Sequence, residues 1–133
     1  MKKILFFSFL LFINTLCYSQ TANEYFDNGI SKFKLKDYKG AIAAFNKAIE
    51  INPDDATFYF WRGGAKCGLY DNRGSIIDFN KAIEINPKYA EAYFSRGFSK
   101  LSLKQKESGC LDFSKAGELG EEKAYEAIKQ YCQ

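Results

Sequence analysis

The chain has 133 residues, of which 47 % are hydrophobic, and it carries a formal net charge of +3 without any histidine. A chain of this length is expected to form one compact domain. The near balance of charges argues against a nucleic-acid-binding protein, which usually shows a clear basic excess. The lack of histidine excludes Ser-His-Asp and Cys-His catalysis and histidine-based metal sites.

The N-terminal segment has the pattern of a secretory signal peptide. Lys2 and Lys3 precede an apolar run of 13 residues at 4–16, and the small residue Ser19 follows. As a helix this run would span about 20 Å, whereas a bilayer core needs about 30 Å. We therefore predict a signal peptide at 1–19 and an exported mature protein, periplasmic or extracellular, without a membrane span. Lipidation at Cys17 is the less favoured alternative.

A repeat with a period of 34 residues follows this segment. Residues 45–53 recur unchanged as 79–87, and a more divergent third copy begins at Phe113. The same offset relates three glycines, three tyrosines and three phenylalanines: Gly29, Gly63 and Gly97; Tyr25, Tyr59 and Tyr93; Phe26, Phe60 and Phe94. Such self-similarity indicates an array of identical supersecondary units.

Each unit contains two segments of helical periodicity. In the first unit, residues 25–35 form the first predicted helix, residues 36–40 read as a turn, and residues 41–51 form a second helix that Pro53 ends. A glycine inside a helix costs about 1 kcal/mol relative to alanine. Glycines at one register of all three first helices therefore predict a close approach of the two helix backbones in each pair.

These residues resemble the tetratricopeptide repeat (TPR) family over about 22–120. The resemblance rests on the 34-residue period, the Tyr/Gly first helix and the Ala/Phe/Ala/Pro second helix. It implies an all-α, right-handed superhelix of three helix-turn-helix repeats at 22–55, 56–89 and 90–121, the last of them divergent. Because a repeat array needs a polar end, we expect residues 122–133 to form a capping helix.

Charged residues recur between the two helices of units two and three. Arg62 and Arg96 are each followed 16 residues later by an aspartate, Asp78 and Asp112, whereas unit one has neither member of the pair. This joint loss favours a structural ion pair within each of the two repeats, in which arginine binds the carboxylate through two hydrogen bonds. The alternative is two unrelated surface charges.

Three cysteines lie beyond the predicted signal peptide. If the last helical hairpin turns at Gly120, Cys110 and Cys132 face each other with a stagger of about 3 Å. A disulfide between them would contribute about 3 kcal/mol and fix the capping helix, and the alternative is two separate thiols. Cys67 has no CxxC partner and is interpreted as a small buried or face-lining residue.

The TPR resemblance implies that the first helices line a concave face that holds a partner. The candidate surface, here called the concave stripe, takes its residues from spacing i, i+4 and i+7 in each first helix. Its members are Phe26, Ile30 and Phe33 in unit one, Phe60, Gly64 and Cys67 in unit two, and Phe94, Phe98 and Leu101 in unit three. An exposed apolar stripe of this size would bind a partner; the alternative is that its rings fill gaps between helices.

The sequence therefore predicts a non-catalytic protein–protein interaction module, an adaptor or scaffold. It contains no phosphate-binding loop and no GxGxxG motif, and its carboxylate pairs at 54–55 and 121–122 lie at unit boundaries. We expect no catalytic residue, no metal site and no cofactor. The partner would be a protein or peptide, or a second copy of the chain in a self-associating structural component; an accessory subunit of a cell-envelope complex is a further alternative.

Overall fold

The computed structural model describes residues 21–133, and the predicted signal peptide at 1–19 lies outside these residues. The helices are α1 (described from 21 to 34), α2 (Tyr38–Ile51), α3 (Ala56–Gly68), α4 (Asn72–Ile85), α5 (Ala90–Ser102), α6 (Lys106–Glu118) and α7 (Lys123–Tyr131). The described part contains no strand, and none of its helices is both long and apolar enough to cross a bilayer.

Consecutive helices pack as antiparallel pairs, and the pairs stack in chain order. α1 packs on α2, α3 on α4, and α5 on α6, while α2 contacts α3 and α4 contacts α5 between pairs. α7 packs on α6 and ends the row. Each pair therefore hides its apolar side only with the help of its neighbours. The predicted all-α solenoid of helix pairs with a final helix is confirmed.

The second helix of a unit begins earlier than the sequence pattern predicts. α2 starts at Tyr38, inside the segment 36–40 that was expected to be a turn, because the Asp37 carboxylate accepts a hydrogen bond from the backbone N–H of Gly40. A side chain at Gly40 would collide with that carboxylate. The Asp-x-x-Gly signal is therefore a helix cap, and α4 repeats it with Asp71.

Each first-helix glycine packs against a phenylalanine ring of the second helix, a contact we call the glycine–ring contact. The three pairs are Gly29 with Phe45, Gly63 with Phe79, and Gly97 with Phe113. A Cβ added at any of these glycines would lie only 2.5–2.8 Å from the ring. The close approach is therefore mainly backbone against ring, which corrects the prediction of backbone against backbone. In unit three the backbone oxygen of Gly109 also approaches, at 3.0 Å from a Cβ added to Gly97.

The joints between units are held by hydrogen bonds to the prolines that follow the second helices. The Tyr59 hydroxyl donates to the carbonyl of Pro53 at 2.9 Å, and the Tyr93 hydroxyl donates to that of Pro87 at 3.1 Å. Tyr59 and Tyr93 therefore tie the first helix of their unit to the end of the unit before it.

Candidate partner-binding face

Arg62 pairs with Asp78, and the carboxylate binds a second cation. Arg62 Nε donates to Oδ2 at 2.9 Å and Nη2 donates to Oδ1 at 2.6 Å, while Lys66 Nζ lies 2.8 Å from Oδ2. Arg62 Nη1 donates to Asn46 Oδ1 of α2 at 2.9 Å. The Asp78 side chain is only 2 % exposed. One arginine therefore ties together α2, α3 and α4, and we call this group the polar lock.

Unit three repeats the polar lock with the same chemistry. Its members are Arg96, Asp112, Lys100 and Asn80. The lysines and asparagines were missed in the sequence, although a lysine four residues after each arginine lies on the same helix face. Unit one has Asn28 and Ala44 at the corresponding positions.

A disulfide joins Cys110 near the start of α6 to Cys132 just after α7, with the Cα atoms 5.8 Å apart. The bond therefore holds the end of the capping helix against the pair before it. Cys67 is half-buried, and its sulfur lies 3.3 Å from the hydroxyl oxygen of Ser99, which also accepts a hydrogen bond from Ser75.

The concave stripe divides into a packed part and an open part. Phe26, Phe60 and Phe94 are half-buried, with ring centroids 5.6–5.8 Å from the glycine-contacting phenylalanine of their own unit. Phe26 also reaches the next unit, where its centroid lies 5.1 Å from that of Phe58. The centroid of Phe60 lies 4.9 Å from that of Tyr89, the last residue of unit two. These three positions fill space between helices, as in the packing alternative.

The middle of the stripe is continued by a residue that sequence reasoning missed. Trp61 is half-buried between Phe33 and Phe60, with edge-on centroid distances of 5.2 and 5.8 Å. Gly64 leaves room beside Phe33, whose ring lies 3.6 Å from where a Cβ would sit. Ile30 packs against the core beneath. The signal for Trp61 was available, since it is the chain's single tryptophan and lies in a first helix.

The open part lies at the C-terminal end of the stripe, where α5 meets α6 and α7. We call it the C-terminal groove; it has a volume of about 520 Å³ and is lined by Phe98, Leu101, Ser102, Lys106 and Tyr131. Phe98 is 37 % exposed, and its ring packs edge-on against Tyr131 at 5.7 Å. Tyr131 directly precedes the disulfide-bonded Cys132, so the covalent bond positions one wall of the groove.

The chemistry of the face is apolar and aromatic. Burial, and to a smaller extent the carboxylates of Glu91 and Asp55, raise the pKa of Tyr89 from 10.0 to about 12, so this residue beside Phe60 is neutral. Among residues 21–133 no group of three or more His, Cys, Asp or Glu side chains is placed to hold a metal ion. The face can therefore bind side chains by burial and ring contacts, with the ammonium of Lys106 at its end.

The fold is that of a helical-repeat protein, and the first helix of each pair carries the concave stripe. A family model described as TPR repeat matches residues 29–66. With the 34-residue period and the helix pairs, this makes the chain a tetratricopeptide repeat protein. No curated protein matches its sequence.

Solved TPR domains resemble the chain over most of its length. The first TPR of Spaghetti (RPAP3), bound to the HSP90 peptide SRMEEVD, is 26 % identical with a TM-score of 0.83, covering 86 % of this chain and 93 % of that one. The Arabidopsis OM64 TPR domain is 26 % identical with a TM-score of 0.84, covering 86 % and 97 %. The TPR2B domain of yeast Sti1, in complex with pHsp70, is 27 % identical with a TM-score of 0.80, covering 86 % and 95 %.

Proposed function

We propose that this chain is a non-catalytic adaptor that is exported and holds a protein or peptide segment along its concave stripe. The observation that carries the proposal is the open groove at the C-terminal end of the aromatic stripe, beside the exposed ring of Phe98. Similar TPR domains are bound to an HSP90 peptide and to pHsp70, which supports a peptide or protein as the partner.

The C-terminal groove is the part of the face best suited to anchor a partner. Its walls are the rings of Phe98 and Tyr131 and the side chain of Leu101, so it favours an apolar side chain. Full burial of a leucine- or phenylalanine-sized group contributes about 1.5–3 kcal/mol. Binding energy in interfaces concentrates in such central aromatic contacts.

The experiment compares two aspartate substitutions in pull-downs from the native envelope. Phe98→Asp places a charge in the groove, and the matched control Leu111→Asp places one on α6, where Leu111 is 71 % exposed. We expect the first change to reduce capture of a defined partner about 30-fold or more and the second to leave capture unchanged, with equal helix content in both. Equal capture by both variants would contradict the proposal.

Self-association is tested separately by light scattering of the purified protein. A monomer at all concentrations supports binding of a foreign partner. A concentration-dependent dimer that Phe98→Asp dissociates and Leu111→Asp does not would assign the face to a second copy of the chain instead.

The exported part of the proposal is supported by the pattern of residues 1–19, which lie outside the described structure. We expect the protein recovered from the cell envelope or medium to begin at Gln20. Intact-mass analysis checks this expectation, and a chain that retains Met1 in the cytosol would contradict export.

A further inference from the structure

The turns between the first and second helices of the three units lie along one edge, here called the turn edge. Tyr38 at the start of α2 packs against Gly68 at the end of α3, and Cys67 near the end of α3 lies 3.3 Å from Ser99 of α5. At the far end, Lys106 Nζ donates a hydrogen bond to the carbonyl of Gln133. Because the helices are antiparallel, the segments that join consecutive units lie on the opposite edge.

The turn edge repeats a leucine followed by a residue with left-handed backbone. The pairs are Leu35–Lys36, Leu69–Tyr70 and Leu103–Lys104, with φ of 60°, 61° and 62° at the second residue. Glycine is the usual occupant of such helix ends because a Cβ is unfavourable there. Leu35 is 80 % exposed and Tyr70 is 90 % exposed, so these side chains add nothing to the core. Leu69 is 40 % exposed, whereas Leu103 is half-buried. Neither backbone preference nor packing therefore accounts for Tyr70, and packing does not account for Leu35.

The charges of the chain are separated between its two edges. Exposed basic side chains lie in or next to the turns of this edge: Lys34, Lys36, Lys39, Arg73, Lys104 and Lys106. The acidic side chains on this edge are Asp37 and Asp71, which are engaged as helix caps, and the exposed Glu107 in the first turn of α6. On the opposite edge, 54–55 and 121–122 are acidic pairs. A nearly balanced chain therefore has one basic, apolar-tipped edge and one acidic edge.

We propose that the turn edge docks on the surface of an anionic phospholipid bilayer. The lysines and Arg73 would contact headgroup phosphates, since basic residues are attracted to anionic leaflets. Leu35, Leu69 and Tyr70 enter the interfacial layer, where tyrosine is favoured. A nucleic acid offers phosphates as well but no place for protruding leucines. In this orientation the acidic edge points away from the lipid. Lys106, which also lines the C-terminal groove, lies at the boundary between the groove and the lipid.

The test is a lipid titration of the full chain with two kinds of vesicle, phosphatidylcholine alone and an equimolar mixture with phosphatidylglycerol. All variants share the apolar run at 4–16. The quantity compared between variants is therefore a ratio, the partition coefficient for the mixed vesicles divided by that for phosphatidylcholine alone. The triple variant Lys36→Gly/Tyr70→Gly/Lys104→Gly should lower this ratio about tenfold or more. Its thermal stability should stay equal or rise, because glycine fits the left-handed positions.

A matched control also removes two positive charges, but from the opposite edge. Lys88→Gln/Lys123→Gln should leave the ratio unchanged. A separate Leu35→Ser variant should weaken binding to the mixed vesicles without any change in charge. The proposal is overturned if the parent shows no preference for the anionic vesicles, if the control lowers the ratio as much as the triple variant, or if the triple variant loses binding together with stability. Preferential binding of RNA, or lipid-free self-association that the triple variant abolishes, would assign the edge to that partner instead.

Discussion

Units one and two share the glycine–ring contact but differ in the polar groups that accompany it. Both place a fully buried phenylalanine ring, Phe45 or Phe79, on a first-helix glycine, and their second helices α2 and α4 have the same length of 14 residues. Unit two adds the polar lock around Asp78, whereas unit one has the small, buried Ala44 at that position. The fit of ring to glycine therefore specifies the helix pair. The polar lock orients one pair on the next, through the bond from Arg62 to Asn46.

The largest effect is expected where the two units agree. Phe45→Ala and Phe79→Ala should each lower the free energy of unfolding by about 3–5 kcal/mol, because each removes a fully buried ring and leaves a cavity. Denaturant unfolding followed by circular dichroism measures both. A cost below about 1 kcal/mol for one of them would show that the units do not share this contact as their main support.

A somewhat smaller effect is expected where the units differ. Asp78→Ala should cost about 2–3 kcal/mol, because it leaves Arg62 and Lys66 facing each other without their buried counter-charge. The partial exposure of both cations, 19 % and 22 %, places this cost at the lower end for buried pairs. Asn46→Ala, which removes one hydrogen bond of the same lock, should cost about 1 kcal/mol. An Asp78 variant as stable as the parent would show that the polar lock contributes no net stability.

The capping helix belongs to no pair and depends on its covalent bond. Cys110→Ser/Cys132→Ser should lower the free energy of unfolding by about 2–3 kcal/mol. It should also raise amide hydrogen exchange in α7 before any other helix, because α7 is short and ends the row. Unchanged exchange in α7 after removal of the disulfide would show that Ala124 and Ala127, both buried, suffice to hold it.

The smallest effect concerns the two joints between units. Asp55 caps α3 with its carboxylate, whereas the equivalent residue before α5 is Tyr89, which makes no side-chain cap. Because burial raises the pKa of Tyr89 to about 12, the unfolded chain releases this proton at lower pH than the folded chain. Stability from this group is therefore present below pH 10.0 and falls as the pH rises towards 12.

Tyr89→Phe should remove this part of the alkaline loss. Urea midpoints measured across that interval should fall less steeply for the variant than for the parent. Parallel curves would show that the tyrosine is not held neutral at the joint.

Much of the fold could be predicted from the sequence because the same helix-pair pattern recurs three times. The 34-residue period gave the helix pairs, and the spacing of Arg62 and Asp78 pointed to their contact. The start of α2 at Tyr38 was missed because residue types such as Asp37 and Gly40 are common in turns. Here they form the N-terminal cap of the helix. Periodicity alone does not separate these two roles.

The face was harder to predict than the fold. Apolar spacing places Phe60 and Phe98 in one stripe, but exposure depends on neighbours that come from other units. Phe60 is covered by Tyr89, the residue just before α5. Phe98 contacts Phe113 and Tyr131 but has no further repeat beside it, and it stays 37 % exposed. Tyr131 and Lys106 complete the groove from distant positions in the chain, so no local sequence pattern predicts their place in it.

Hydrogen exchange of the protein with its captured partner tests the central claim most directly. If the concave stripe holds the partner, binding should slow exchange in α3 and α5 and around Tyr131, while the outward side of α4 and α6 keeps its free rate. Protection confined to α4 and α6, with α5 and the C-terminal groove unchanged, would contradict the assignment of this face.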